Sequence, residues 1–395
     1  MTFMFIMDTA SRRHAPALAL AALIAAAVPM ASLAQATGSE PAAGPAGAPP
    51  LVITGYGEIN YNRPSDPADQ VVDLRRFVFG LHYRFSERTR LVSEVEIEHA
   101  VSSADDAGEV ALEQAYVEHQ ISSTWAGRAG LVLLPVGMLN ESHEPTTYYG
   151  VERNFVETAI IPTTWREGAI QVVGTFESGL TLSAGVSTGF DINKWDAASS
   201  EGRESPLGSI HQELSEARAH DGAVFAALNW RGVPGLLLGG SAFVGGAAQG
   251  QAGTPPTTTA LWDVHARWTP WRLDLSALYA RGSISNTAAL NAPLVGNPTL
   301  VPATFFGWYV QAACRAWSEG DLAVAPFVRY ERFNTGASYA DLGPGATPAA
   351  LETEGVLTAG VNFWMTPGVV LKADYQKFAV ATAQDRIDLG LGWSF

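Results

Sequence analysis

The sequence predicts an all-β protein: a transmembrane antiparallel β-barrel of about 16 strands, with N- and C-termini periplasmic. Three observations predict it. The chain ends on DRIDLGLGWSF, Asp385 to Phe395, an alternating strand that closes on an aromatic residue. Past residue 36 no second long apolar run remains, yet the chain of 395 residues is 47% hydrophobic and only 16% charged. Its apolar residues recur at every second position with polar or charged residues between them, which is the period of a strand and not of a helix.

The first element is a targeting segment. Arg12 and Arg13 precede an Ala-rich apolar run from Pro16 to Leu33, followed by Ala34-Gln35-Ala36. A basic start, an apolar middle and a small-residue cleavage site make a signal peptide over 1–36. A transmembrane anchor is the alternative, and the following cleavage site argues against it. The mature chain is expected to begin near Thr37. Residues 37–50 (TGSEPAAGPAGAPP) read as a flexible periplasmic tail. Residues 51–395 then form the barrel as one domain.

Within 51–395, segments of strand character recur at 51–61, 72–86, 89–100, 109–121, 125–137, 166–178, 180–190, 221–232, 235–246, 258–269, 271–283, 304–317, 321–333, 354–366, 369–379 and 384–395. Each is long enough to cross a bilayer when tilted. Short connections such as Ser178-Gly179, Val233-Pro234 and Pro367-Gly368 carry turn residues. They alternate with longer loops, among them 138–165, 191–220 and 284–303. Short turns at one end and long loops at the other place both termini at the short-turn side.

The faces follow from the alternation. In the second segment Phe77, Phe79, Leu81, Tyr83 and Phe85 face lipid while Arg76, His82 and Arg84 face inward. In the third, Glu94, Glu96 and Glu98 face inward. Further inward groups are Gln114, Tyr116, Glu118, Arg128, Arg329 and Glu331. Asp263 with Arg267, Arg272 with Asp274, Lys372 with Asp374, and Arg386 with Asp388 are expected as opposite-charge pairs on inner faces. A dry core holding this many charges would cost several kcal/mol for each. A water-filled lumen removes that cost, and a wet lumen is a pore.

Other classes are disfavoured. A net charge of −15 with only three lysines, Lys194, Lys372 and Lys377, argues against nucleic acid as a partner. The single Cys314 allows no disulfide within the chain. No nucleophile elbow, zinc-protease helix or phosphate loop is present, so no enzyme is expected. No cofactor is expected, and His143-Glu144 lacks the further ligands a metal needs. A closed barrel serving as an adhesin or structural anchor is the remaining alternative.

Several stretches resemble one known family. GYGEINYN (55–62), DLRRFVFGLHYRF (73–85), EQAYVEHQ (113–120), RAGLVLLPVGMLNE (128–141), PFVRYERFNTG (326–336) and LGLGWSF at the end resemble the phosphate-selective porin O and P family of bacterial outer-membrane porins. The resemblance implies a barrel in the Gram-negative outer membrane, surrounded by lipid, usually a homotrimer, that passes small hydrophilic solutes or ions. The terminal strand resembles the signal read by the barrel-assembly machinery, with Trp393 and Phe395 as its aromatic residues. The resemblance also places loop 138–165 where such porins fold a loop inward. Glu141, His143, Glu144, Tyr148, Glu152, Arg153 and Glu157 are the candidates to line that constriction.

Anion selectivity in the family uses rows of basic residues, and here lysine is nearly absent. Inward acids are at least as numerous as inward arginines. The expected channel is not strongly phosphate-selective and passes cations weakly better than anions, or both about equally. A phosphate- or anion-selective porin is the alternative.

Overall fold

A computed structural model describes residues 50–101 and 108–395. The signal peptide expected over 1–36 and all but the last residue of the 37–50 tail lie outside the described residues. Among the described residues sixteen strands form one closed sheet. They are β1 (Leu51–Pro64), β2 (Val71–Arg84), β3 (Thr89–Glu98), β4 (Val110–Gln120), β5 (Trp125–Leu133), β6 (Arg166–Thr175), β7 (Leu180–Thr188) and β8 (Gly222–Trp230). They continue as β9 (Leu236–Gly246), β10 (Thr258–Trp268), β11 (Leu273–Ile284), β12 (Thr304–Cys314, continued by Trp317–Glu319), β13 (Leu322–Ser338), β14 (Glu354–Thr366), β15 (Val369–Phe378) and β16 (Arg386–Ser394).

Every strand pairs antiparallel with the next, and β1 pairs with both β2 and β16, so no edge remains. Closure satisfies the backbone without water, which a bilayer demands. At the seam Tyr56 lies opposite Ser394, and Gly55 and Phe395 exchange backbone hydrogen bonds of 3.0 and 2.8 Å. The predicted barrel and its strand number are thus borne out. The main boundary difference is β13, which runs on to Ser338 where the pattern suggested an end near residue 333.

Apolar side chains cover the outer wall. Phe79, Leu81, Tyr83 and Phe85 of β2 and its turn are exposed there, as are Trp262, Val264 and Trp268 of β10. Their neighbours in sequence, His82, Asp263 and His265, are buried inside. The interior also holds an apolar cluster in which the Trp165, Phe190 and Phe243 rings pack with centroids 4.7–5.3 Å apart, Trp165 stacked on Phe190 and Phe243 edge-on to Phe190. Loop residues Ile192, Leu207 and Ile210 join it, so the long loops pack into the barrel from one end.

Candidate functional site

The site is the barrel interior where the segment between β5 and β6 crosses it. Its neck is closed by Asn140. The Asn140 amide donates to the carbonyls of Leu134 (2.7 Å) and Trp165 (2.8 Å), and its oxygen accepts from the Trp165 N–H (2.6 Å). One side chain thereby ties the two ends of the loop together.

From that neck the loop reaches several strands of the wall. Near β1, β2 and β4, His143 Nε2 lies 2.7 Å from Glu113 Oε1 and 2.8 Å from the Tyr56 hydroxyl. Its Nδ1 donates to the Asn140 carbonyl at 2.8 Å, and Arg76 donates to the His143 carbonyl at 3.1 Å. Tyr148 donates to Glu58 (2.8 Å), and the Lys372 ammonium sits 3.6 Å from the centre of the Tyr148 ring. Further round the wall the Tyr149 hydroxyl reaches Asp274 of β11 at 3.3 Å and the Phe155 N–H donates to Glu331 of β13 at 2.6 Å, while the Val151 N–H donates to Asp374 of β15, two strands from β1, at 2.6 Å. Glu152 accepts from Asn60 (3.3 Å) and Asn62 (3.1 Å). Where the loop passes β16 the wall is glycine. A Cβ on Gly392 would come within 2.5 Å of Pro145, so only glycine admits that approach.

Several expected lining residues therefore hold the loop instead of facing open water. Arg76 bonds Glu58 at 2.8 Å, and Arg329 bonds Glu331 at 3.0 Å. Glu96, Arg76, Arg329 and Glu331 are all buried, as are His143, Tyr148 and Arg153 of the loop. Glu157 is buried too: it accepts from the N–H groups of Met138 (2.6 Å) and Leu139 (2.8 Å) and from the Tyr309 hydroxyl (3.0 Å). Arg153 donates to Thr163 and Thr164 of its own loop. Packed backbone inside a barrel needs acceptors and donors, and the wall charges supply them. Glu94, Glu98, Arg84, Arg128, Glu144 and Glu152 remain partly exposed, and Glu141 is exposed.

The expected charge pairs are mostly rearranged. Arg267 pairs across strands with Asp274 (2.6 Å), and Asp263 pairs with His265 (2.6 Å). Arg272 stands in an exposed turn over the Trp271 ring, not on the inner wall. Lys372 rests on Tyr148, and Asp374 accepts from the loop. Of the four expected pairs, Arg386–Asp388 forms, at 2.9 Å.

Glu113 escaped the sequence reading. Strict alternation puts it outside, because Gln114 faces in. The register between β3 and β4 shifts between Glu94 and Val95, opposite Gln114 and Leu112, so Glu113 is an unpaired bulge residue. Its side chain turns inward, is fully buried, and accepts from Tyr56 at 2.7 and 2.5 Å. No feature of the β4 sequence alone announces that bulge.

Burial works against a charged His143, but the Glu113 carboxylate outweighs it. With Arg76 opposing and Glu144 assisting, the imidazole is raised to about 9. A raised value means that the contact stabilises the folded loop at low and neutral pH and is lost as pH climbs through about 9. Loop opening, read as channel noise in a planar bilayer, is expected to increase above that pH. Noise that stays flat across it would show that the His143 contact does not hold the loop.

No family model matches the chain. An uncharacterized protein of Aquifex aeolicus (strain VF5) is 30% identical over 335 residues, covering 82% of this chain and 74% of that protein. Among solved structures, Salmonella typhi OmpF in complex with daunomycin aligns with a TM-score of 0.59 at 12% identity, covering 87% of this chain and 97% of that one. An anion-selective porin from Comamonas acidovorans aligns at 0.55 and 11% identity, covering 87% and 99%. The outer-membrane channel DcaP of Acinetobacter baumannii aligns at 0.53 and 13% identity, covering 87% and 97%. At these identities the likeness is one of fold.

Proposed function

As this chain belongs to one family with the Aquifex aeolicus protein and has the fold of the outer-membrane porins, we propose that it is itself a porin of the Gram-negative outer membrane. It forms a water-filled channel through which small hydrophilic solutes or ions diffuse. The observation that carries this reading is the distribution of charge: apolar side chains outside a closed ladder, and Glu94, Arg84 and Arg128 partly exposed inside it. The short turns and both termini face the periplasm and the long loops face outward. Loop 138–165 sets the narrowest part, and the aromatic end of β16 addresses the chain to the barrel-assembly machinery. The chain assembles as a homotrimer, as the resemblance to the phosphate-selective porin O and P family implies. It is not an enzyme. Strong phosphate selectivity is not expected, since lysine is nearly absent and the inward arginines are matched by acids.

Purified, heat-modifiable protein in a planar bilayer is expected to give stepwise ionic conductance, and liposomes carrying it are expected to swell in small sugars. Folded protein that conducts nothing would overturn the channel reading and favour a closed structural barrel.

A further inference from the structure

Two arginines stand on the outer, lipid-facing wall near the long-loop end. Arg281 of β11 lies opposite Trp262 of β10 and Phe306 of β12, and Arg332 of β13 lies opposite Trp308 of β12. Residues paired in register share a face, and Trp262 is exposed on the outer wall. Both arginines are exposed, and among the described residues neither forms an ion pair. Arg281 lies three residues before the end of β11, and Arg332 faces Gly355, the second residue of β14. Lys377, last but one in β15 and opposite the exposed Leu357, continues the row. The acids of β11–β15 stand elsewhere. Asp274, Glu331 and Asp374 are buried inside, and Glu319 is at the short-turn end. Glu354 accepts the N–H groups of Gly355, Ala379, Val380 and Ala381, and Asp385 answers Lys377 at 3.7 Å. The outward face of these strands is therefore basic at Arg281 and Arg332.

Towards the short turns the same face carries an aromatic collar and then a groove. Tyr279 packs on Trp262 with ring centres 5.4 Å apart, and Trp308 on Tyr330 at 5.7 Å. Such rings settle where headgroups meet acyl chains. Past the collar Ala266 lies opposite Ala277. With Ala312 they floor an outward groove of about 470 Å³, walled by Trp268, Val328 and Tyr330. From Arg281 to Ala277 is four strand residues, about 13 Å. Arg281 and Arg332 are two strands apart, about 10 Å across the sheet. Their flexible side chains can converge on one anion beside the collar. A guanidinium on a lipid-facing wall is costly at mid-depth and tolerated at headgroup level, where a phosphate accepts its forked N–H donors. Charge, collar and groove thus follow one another as headgroup, interface and tail do in a lipid.

We propose that the outer wall of β10–β13 binds a phosphate-bearing lipid of the leaflet at the long-loop end. The phosphate sits between Arg281 and Arg332, and an acyl chain lies along the alanine groove. The proposal needs the barrel to span a membrane, as the porin reading does, but not that it conducts. A zwitterionic lipid binds less well, because its own cation competes with the arginines for the phosphate. A free phosphate ion makes no use of the groove. The outer face of β6–β9 differs: Ile170, Val186, Val224 and Val244 are exposed there, and no strand residue on it is an exposed charge. The lipid is therefore held on one side of the barrel.

The test is native mass spectrometry of the folded, full-length barrel in non-ionic detergent, titrated with dioleoyl phosphatidic acid or with dioleoyl phosphatidylcholine, which has the same chains. Phosphatidic acid is expected to bind about tenfold more tightly, as charge-assisted hydrogen bonds to one phosphate allow. Arg281→Gln with Arg332→Gln should remove that preference. Ala277→Trp, which fills the groove, should weaken binding of both lipids. Arg272→Gln, at an exposed arginine of the short-turn end, should leave the preference unchanged, and millimolar inorganic phosphate should not displace the lipid. Equal binding of the two lipids by the wild type would overturn the proposal. So would an equal loss from Arg272→Gln, which would make the preference one of general surface charge, or displacement by inorganic phosphate, which would make the site one for a free anion. Single-channel conductance of the double arginine variant is expected to match the wild type. A wild-type barrel that conducts nothing would overturn the porin reading and leave the lipid preference standing. If the double variant fails to assemble, the wild-type lipid comparison and Ala277→Trp still decide.

Discussion

Deletion of Phe395 is expected to lower the yield of folded barrel more than tenfold. Its backbone exchanges two hydrogen bonds with Gly55 across the closing seam, and its ring lies directly over that glycine. A Cβ on Gly55 would come within 2.6 Å of the Phe395 ring. Trp393 covers Gly57 in the same way, at 2.5 Å. Two lost backbone hydrogen bonds cost about 2 kcal/mol together at about 1 kcal/mol each, and every 1.4 kcal/mol is tenfold in an equilibrium. Loss of the aromatic terminus as the proposed assembly signal adds to this. Gly55→Val should reproduce part of the defect by driving the ring off the seam, and Phe395→Tyr should largely restore assembly. Heat-modifiable migration of outer-membrane fractions measures the folded yield. An unchanged yield on deletion would mean that β16 closes the barrel without its last residue.

Glu113→Ala is expected to free loop 138–165 while leaving the barrel closed. The substitution strands a buried, charged His143 beside Arg76 and removes the acceptor of the Tyr56 hydroxyl. Breaking one side of a buried ion pair costs about 3–5 kcal/mol. That is enough to shift the loop population, whereas the sixteen-strand ladder does not depend on this contact. Mean single-channel conductance should rise and its noise should increase markedly, with heat-modifiability preserved. Pairing the change with His143→Gln, which removes the stranded charge, should recover part of the wild-type behaviour. Conductance and noise identical to wild type would refute the role of this pair as the loop's anchor.

The two expectations differ in how far the sequence alone supports them. Strand character at sixteen places was legible because a half-lipid, half-lumen strand must alternate, and alternation is local. The outward row Phe79, Leu81, Tyr83 and Phe85 follows from β2 without knowledge of any other strand. The seam was legible as an aromatic end, but its glycine partners Gly55 and Gly57 lie at the other end of the barrel sequence. The loop was marked by its length and by residues such as Ile160, Ile161 and Trp165 that need a dry place to pack.

What the sequence could not yield is which charges meet. Arg272 was expected beside Asp274 because they are two residues apart, yet Arg267 takes Asp274 from the neighbouring strand. Tyr149 finds the same carboxylate from 125 positions away. Arg76, Arg329, Glu331 and Glu157 carry lumen-like polarity but are spent on holding the loop, a difference invisible until the loop is in place. Glu113 is the sharpest case, since one bulge between β3 and β4 reverses its face.

By itself, then, the sequence determined the closed barrel, its strand number and the apolar outer surface, because period-two patterning against two solvents is a property of each segment alone. Only the tertiary structure decided which inward charges are sealed under the loop and which stay in water. That choice depends on strand register, a bulge and a loop crossing the lumen, and each of these brings together residues that no local pattern relates.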